Sequence, residues 1–134
     1  MKGIVPSHNT PFDRDGAVDN ASMRRLVKHT VDAGCGGMLG LAVAGEHSAL
    51  TQTEKARFVE VAAETNAQRI PFIVSVTSPD VAASVELTKI AKSADASGIC
   101  VQLPVGTDRG EKLGFLQDLA CHAPAILMVQ DLDW

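Results

Sequence analysis

The sequence predicts an α/β protein in which helices cover a parallel β-sheet. Short apolar segments alternate along the chain with longer segments in which apolar residues recur every three or four positions. The short segments carry few polar residues, as expected of strands that are buried on both faces. Each is followed by a predicted amphipathic helix, an arrangement that joins neighbouring parallel strands.

The first half of the chain predicts a strand, a helix and a second strand. Residues 3–5 form a short predicted strand, which is followed by a loop rich in turn-forming residues. Asp19 is the predicted N-cap of the first helix. The apolar residues of this helix follow the spacing of one helix face: Met23, Leu26, Val27 and Val31. Glycines after residue 33 end the helix, and residues 38–44 predict the second strand.

The rest of the chain repeats this alternation. Thr51 and Glu54 have the spacing of a capping box that starts the second helix, and Asp108 and Glu111 have it for the fourth. Ser78, which precedes a proline, is the predicted N-cap of the third helix. The remaining strands are predicted at residues 71–77, 98–103 and 125–130.

Composition and charge exclude several classes of protein. The chain has 134 residues and a formal charge of −4, without the basic stripe of a nucleic-acid binder. It has no apolar run of the ~20 residues that a membrane span needs, and its N-terminus is unlike a signal peptide. We therefore expect a cytoplasmic protein with neither nucleic-acid nor membrane partners. Cys35, Cys100 and Cys121 are too widely spaced for a metal site, and we expect no metal and no cofactor.

Five parallel strands fit two architectures. One is a doubly wound sheet, and the other is the first half of a (β/α)8 barrel, which typically takes ~250 residues. The first turn, residues 6–12, has no glycine-rich phosphate cradle, which weakens the nucleotide-binding form of the doubly wound sheet. The sequence also stops directly after the fifth predicted strand, with no helix to cover it. We therefore expect the chain to be cut short within its domain.

Five motifs occur in an order and spacing that resemble a known enzyme family. They are "TPFDRDGAVD", "LVKHTVDAG", a strand that closes on "GEHSAL", "TEKARF" and "IPFIVSV". Together they resemble the N-terminal half of the dihydrodipicolinate synthase and N-acetylneuraminate lyase family. The resemblance covers nearly all of the 134 residues but would account for only about half of a family chain.

The resemblance implies an α/β fold of the (β/α)8 barrel (TIM barrel) type, of which this chain supplies about the first four βα units plus strand five. Residues 1–134 would then be the N-terminal half of one barrel domain. It also implies a class I aldolase, in which a lysine on the sixth strand forms a Schiff base with pyruvate or another 2-oxo acid. That lysine would lie beyond the end of this chain. A homo-oligomer is expected on the same grounds.

A substrate site is expected at the carboxyl ends of the strands, where barrel enzymes hold their chemistry. In this interpretation, backbone N–H groups after the second strand bind the substrate carboxylate, and Thr10 and Glu46 support the loop. From the residues alone, an ordinary turn before a capped helix is the favoured interpretation of this stretch, and the resemblance to the family reverses that preference. The substrate-binding candidates are Val43, Ala44, Gly45, Gln102 and Gln130.

The sequence departs from the family pattern in three places. Val43 and Ala44 stand where the family has a pair of threonines, so hydroxyl contacts to a carboxylate are lost. The proton-shuttling tyrosine of the fifth strand falls at about Met128, and the chain contains no tyrosine. A second tyrosine-bearing segment, after the fourth strand, is replaced by residues 103–108. In this chain Gln130, a water molecule or a group of the substrate would have to transfer the proton instead.

Further polar residues follow the predicted strands and would converge on one face: Ser7, His8, Asn9, Ser75 and Thr77. An equally open explanation is that polar residues accumulate wherever strands reach solvent. His8 and His47 could share a metal ion, although their spacing does not demand one.

No lysine of this chain is a candidate for the Schiff base. None lies in a predicted strand: Lys2, Lys28, Lys55, Lys89, Lys92 and Lys112. A Schiff-base lysine needs a pKa lowered by a desolvated pocket, which we expect at none of these positions. The chain alone is therefore predicted to form no imine. Two non-catalytic alternatives remain, a half barrel that pairs with itself and a small doubly wound ligand-binding domain.

Overall fold

A computed structural model describes residues 2–130 of the chain. Within them, helices alternate with strands in the following order: α1 Asn20–Asp32, β1 Met38–Gly40, α2 Gln52–Asn66, β2 Phe72–Ser75, α3 Val81–Ser93, β3 Gly98–Gln102, α4 Arg109–His122 and β4 Ile126–Gln130. Two 3₁₀ turns, Val43–Gly45 and His47–Ala49, connect β1 to α2. None of the described helices combines the length and the apolar character needed to cross a membrane.

The four strands form one parallel sheet in the order β1-β2-β3-β4. The strand order follows the chain order without reversal, so the described part has no topological switch point, the feature that defines a doubly wound sheet. The connecting helices share one hydrophobic core with the sheet. This arrangement is that of the N-terminal part of a (β/α)8 barrel, and the predicted fold class is confirmed.

The N-terminal segment is the first element that differs from expectation. The prediction of a regular strand at residues 3–5 is wrong, although the segment does run parallel to β1. The Ile4 carbonyl accepts a hydrogen bond from Gly36 at 2.8 Å, and the Pro6 carbonyl accepts one from Leu39 at 3.0 Å. Pro6 has no N–H to donate, which interrupts the ladder. The segment therefore takes the position of a first barrel strand without regular strand geometry.

Two further boundaries differ from expectation. The second predicted strand, residues 38–44, ends at Gly40, because Leu41 has a positive φ of 58° and turns the chain. The N-cap of α3 is Asp80, whose side chain accepts a hydrogen bond from the Ala82 N–H, instead of Ser78. Ser78 Oγ instead accepts a hydrogen bond from the Asp80 N–H at 3.2 Å, so it stabilises the turn before the helix.

The predicted caps of the other helices are confirmed. Asp19 accepts hydrogen bonds from the first turn of α1. Both predicted capping boxes are reciprocal, since each N-cap side chain accepts from the third helical N–H and the glutamate there returns a bond to the N-cap backbone. These local contacts set where α1, α2 and α4 begin.

One face of the sheet packs against the helices, and we call it the outer face. Phe72 and Val74 of β2 and Ile99 of β3 lie on it, in the buried core. Helix α2 approaches β1 closely, since a Cβ atom on Gly40 would lie 2.7 Å from Cε1 of Phe58. Most of the apolar burial of the molecule takes place between this face and the helices.

The opposite face, which we call the inner face, carries the alternate side chains of each strand. A Cβ atom on Gly98 would lie 2.5 Å from Ile126 Cβ and 3.0 Å from Ile73 Cδ1, so these three residues form one row across β2, β3 and β4. The strand register then places the next row on the same face: Ser75, Cys100 and Met128. Cys100 is buried, as predicted for a small core residue.

We expect Gly98→Ala to lower the free energy of unfolding by about 1–3 kcal/mol, as overpacking of a close contact does. The added methyl group would meet the Ile126 carbonyl oxygen at 2.6 Å, and backbone there cannot move without separating β3 from β4.

Gly114→Ala is the matched control, because no heavy atom lies within 4 Å of the added Cβ atom. Gly114 lies inside α4, so alanine should stabilise the protein by about 0.5–1 kcal/mol. Urea denaturation measures both effects, and a Gly98→Ala protein as stable as the wild type would contradict the close approach of β3 and β4.

Candidate active site

The candidate site lies where the strands end at the carboxyl edge of the sheet. The N-terminal segment reaches this edge at residues 7–10, β1 leads into residues 41–46, and β2 leads into Thr77. Gln102 and Gln130 are the last residues of β3 and β4. Parallel strands bring all of these ends to one side of the molecule, which is the side that binds ligands in α/β proteins.

The 3₁₀ turn after β1 presents backbone donors at this edge. Ala42 is extended, and Val43–Gly45 then forms one 3₁₀ turn. The Gly45 N–H donates to the Ala42 carbonyl at 2.8 Å and is therefore engaged. The N–H groups of Val43 and Ala44 come before the first bond of the turn, where helical geometry offers no acceptor. The three predicted backbone donors are thus reduced to two.

Gly45 is buried against the N-terminal segment. A Cβ atom at this position would lie 2.7 Å from the His8 carbonyl oxygen, so a side chain has no room. Thr10 lies in the same contact, where its hydroxyl donates to the Gly45 carbonyl at 2.7 Å. The glycine is required here by close packing, and the positive φ of the turn falls on the neighbouring Glu46 at 55°.

Glu46 is exposed, and its contribution to the turn comes from its backbone. Its carbonyl accepts a hydrogen bond from the Ala49 N–H at 2.9 Å. Within residues 2–130, its carboxylate takes part in none of the described hydrogen bonds or ion pairs. The expected supporting role of this side chain stays a prediction.

The ends of β2, β3 and β4 bring polar groups together on the inner face. Gln102 and Gln130 are register partners on neighbouring strands. Thr77 Oγ1 accepts a hydrogen bond from the Gln102 N–H at 3.0 Å and lies 3.4 Å from Ser75 Oγ. Two hydroxyl groups and two side-chain amides therefore lie at the ends of three adjacent strands.

Met128 and Cys100 line the inner face just below these groups. Met128, at about the position where the resemblance places the family's tyrosine, is 40% exposed, so its thioether faces open space. Burial raises the pKa of the Cys100 thiol, which keeps the thiol protonated at neutral pH. Neither side chain is able to carry a proton to and from a substrate.

His8 lies behind the site and faces α1. Its Nε2 is 2.9 Å from Thr30 Oγ1. The Thr30 hydroxyl donates to the Leu26 carbonyl at 3.0 Å, so it must accept a hydrogen from His8 Nε2. Nδ1 of the ring is buried without a partner, and burial lowers the pKa of His8 below its usual value. His8 is therefore a neutral core residue, and its side chain is directed away from the polar groups of the inner face.

The suggested metal pairing of His8 with His47 finds no support in the geometry. No group of three or more His, Cys, Asp and Glu side chains is arranged to hold a metal ion anywhere in the described range. Burial lowers the pKa of His47, and the positive charge of nearby Lys55 lowers it further.

Lys55 differs from expectation, because burial lowers the pKa of its amine. A lowered pKa was expected at none of the six lysines, and Lys55, which is partly buried, departs from that expectation. Lys55 lies in the first turn of α2, a helix that packs against the outer face of the sheet.

The fold and the position of these groups define a class of protein, a (β/α)8 barrel with its candidate site at the carboxyl ends of the strands. The sequence profile of the Dihydrodipicolinate synthetase family matches residues 1–107. The chain belongs to that family, as its motifs indicated.

Curated relatives of the chain are enzymes of this family. It is 30% identical over 132 residues to the 4-hydroxy-tetrahydrodipicolinate synthase of Salinibacter ruber, a match that covers 95% of this chain and 43% of that protein. It is 39% identical over 95 residues to the enzyme of the same name from Mycobacterium leprae, covering 71% of this chain and 32% of that protein. The chain thus spans less than half the length of the relatives it matches.

Three solved structures also match nearly all of this chain and less than half of their own chains. YagE from E. coli K12, a prophage protein of the dihydrodipicolinic acid synthase family solved in complex with pyruvate, has a TM-score of 0.89 at 25% identity, over 95% of this chain and 43% of that chain. Dihydrodipicolinate synthase from Aquifex aeolicus matches with a TM-score of 0.89 at 25% identity, over 96% of this chain and 44% of that chain. N-acetylneuraminate lyase from Mycoplasma synoviae, at 24% identity and a TM-score of 0.89, shares the fold over 96% of this chain and 45% of its own.

We expect Thr10→Val to lower the free energy of unfolding by about 1–3 kcal/mol, because it leaves the buried Gly45 carbonyl without a donor. Thr10→Ser is the control, since it retains the hydroxyl and removes only a methyl group. Chemical denaturation compares the two variants. A Thr10→Val protein as stable as the wild type, or less destabilised than Thr10→Ser, would contradict the role of this hydrogen bond in holding the turn.

His8 should make the protein less stable in acid. Its folded-state pKa lies below the usual value of 6.5, so below that pH the unfolded chain binds the proton more readily than the folded one. The stability that the neutral ring provides is present above about pH 6.5 and lost as the pH falls. We expect His8→Leu to have a shallower loss of unfolding free energy than the wild type between about pH 7.5 and about pH 5. Parallel curves for the two proteins would contradict a neutral, buried His8.

Proposed function

We propose that this chain is the N-terminal half of a Schiff-base lyase that acts on pyruvate or another 2-oxo acid. Membership of the Dihydrodipicolinate synthetase family supports a lyase. The observation that carries the proposal is the 3₁₀ turn after β1 at the carboxyl edge of the sheet. The N–H groups of Val43 and Ala44 in this turn donate none of the hydrogen bonds described for residues 2–130. Pyruvate is the first substrate to test, because a family member was solved in complex with it.

The turn would hold the carboxylate of the substrate. Successive backbone N–H groups in a tight turn form a concavity that binds anions. Val43 and Ala44 have no hydroxyl groups, so the backbone alone would supply the donors on this side. Thr10 would position them indirectly, since its hydroxyl holds the Gly45 carbonyl and thereby the turn.

The reaction itself requires a lysine that this chain does not provide. The amine of that lysine would attack the keto carbon of the substrate, and a water molecule would leave as the imine forms. The protonated imine draws electrons from the adjacent carbon–carbon bond, which can then form or break. The side chains of Ser75, Thr77, Gln102 and Gln130 would orient the rest of the substrate. A water held near Gln130, or a group of the substrate, would transfer the proton that Met128 cannot.

The proposal also covers the domain organisation of the protein, its cellular location and its assembly. Residues 1–134 would be the N-terminal half of a single barrel, whose second half pairs with β4 and supplies the lysine. Ile126, Met128 and Val129 of β4 are 37%, 40% and 46% exposed, which is consistent with a further strand beside them. We place the assembled enzyme in the cytoplasm as a homo-oligomer.

The same exposed strand favours one other candidate function. Two copies of the chain could pair through β4 and act as a non-catalytic half-barrel dimer. The mass of the native polypeptide distinguishes the half-barrel dimer from the lyase. A native polypeptide of 14.1 kDa that forms a dimer would favour this alternative, whereas a much longer native polypeptide would favour the lyase.

Borohydride trapping tests the lyase proposal directly. We expect the full-length protein, reduced with sodium borohydride in the presence of pyruvate, to gain a stable adduct on a lysine outside this chain. Peptide mass spectrometry should find none on the lysines within it: Lys2, Lys28, Lys55, Lys89, Lys92 and Lys112.

Lys55 is the most informative internal control. Its lowered pKa makes it the most reactive amine expected among these six, although it lies on a helix instead of the inner face. An adduct on Lys55 or on any other lysine of this chain would overturn the assignment of the Schiff base to a residue outside it. The lyase proposal itself fails if neither pyruvate nor other 2-oxo acids yield an adduct anywhere.

A further inference from the structure

A groove on the helical surface collects positive charge. It lies between α1 and the end of α2, is open to solvent and has a volume of about 400 Å³. Its lining consists of four cationic side chains and one threonine: Arg24, Arg25, Lys28, Arg69 and Thr65. Among residues 2–130, no carboxylate belongs to this lining. We call it the cationic groove.

The charge of this groove is unusual for the chain. The whole protein has a formal charge of −4, yet four cations share one small groove. Glu64 offsets part of this charge, since its Oε2 lies 3.0 Å from Nη2 of Arg24. Within residues 2–130, Arg25, Lys28 and Arg69 take part in no described ion pair. Like charges held together repel one another, and a bound anion would relieve that repulsion.

Protein contacts hold the three guanidinium groups in place. Arg24 donates to Thr65 Oγ1 at 3.2 Å, and Arg25 donates to Ser22 Oγ at 2.6 Å. Arg69 donates through Nε to the Asn66 carbonyl at 3.0 Å and through Nη2 to the Thr65 carbonyl at 2.7 Å. A guanidinium has five N–H donors, so each arginine keeps at least three for a ligand. The groove is thus partly ordered before anything binds.

We propose that the cationic groove binds a small phosphorylated anion. Guanidinium groups bind phosphate through paired, parallel hydrogen bonds, and several of them together match a group with two or more negative charges. The volume of the groove lies within the range of small-molecule sites. A nucleic acid fits less well, because the cations are confined to this one groove on an acidic protein.

The groove is independent of the proposed lyase activity. Its residues belong to α1, α2 and the loop after α2, all on the helical side of the sheet. The candidate active site lies on the inner face at the carboxyl edge. Loss of binding in the groove should therefore leave the borohydride adduct unchanged, and the two proposals fail separately.

Isothermal titration of the full-length protein with inorganic pyrophosphate tests the proposal. We expect saturable binding that weakens as salt is added, because exposed charges are screened. The double variant Arg25→Gln/Lys28→Gln removes two of the four cations from exposed positions, and we expect its affinity to fall about tenfold or more. Lys89→Gln is the matched control, since it removes an exposed α3 cation that lies 3.5 Å from Glu86. It should bind pyrophosphate as the wild type does.

Two further measurements keep the result interpretable. Circular dichroism should show that the double variant melts like the wild type, so that lost binding is not lost folding. Inorganic phosphate and vesicles with anionic lipids separate a soluble phosphate ligand from a lipid head group. Binding to vesicles but not to pyrophosphate would overturn the proposal in favour of a membrane surface. Absence of pyrophosphate binding at millimolar concentration, or equal binding by the double variant, would also overturn it.

Discussion

The alternation of side chains across the parallel sheet is the constraint on which the rest of this structure depends. Every second residue of a strand points to the helices. In the described part of the chain the helices pack against the outer face, so that face holds most of the apolar core. The remaining residues point inward and include the polar groups of the candidate site. A shift of one residue in β2 would send Ser75 into the helical core and Val74 into the site. Core packing and site geometry are therefore set by the same register.

The turn after β1 depends on a second, more local constraint. The N-terminal segment pairs with β1 through its backbone and then continues over the turn, where the His8 carbonyl leaves no room for a side chain on Gly45. Thr10 completes this contact with one hydrogen bond. The N–H groups of Val43 and Ala44, which have no hydrogen-bond acceptor among the described residues, therefore belong to a turn that the N-terminal segment holds in place. Their position follows from packing between two segments that are far apart in the sequence.

The difference between local contacts and contacts between distant segments explains which features could be predicted from the sequence. The start of a helix depends on residues about three positions apart, so the N-caps at Asp19, Thr51 and Asp108 could all be predicted from the sequence. The end of β1 was not, because leucine rarely adopts a positive φ and nothing near Leu41 signals it. The cap at Asp80 was missed because Ser78 with Pro79 fits the local rule equally well. The reason for Gly45 and the burial of Lys55 depend on tertiary contacts, which no local pattern records.

The hydrogen-bonding groups of the candidate site are divided unevenly between the strands. At the end of β1, Val43 and Ala44 contribute no hydroxyls, so the backbone N–H groups are the donors there. At the ends of β2, β3 and β4, the groups belong to side chains, which can rotate and which differ in length. Backbone N–H groups bind a small anionic group and do not distinguish the rest of the ligand. Side chains contact the rest of the ligand and can distinguish one ligand from another. A ligand with a carboxylate at one end would thus be bound through that group beside β1, and the side chains beside β2 to β4 would determine the specificity for the rest of it.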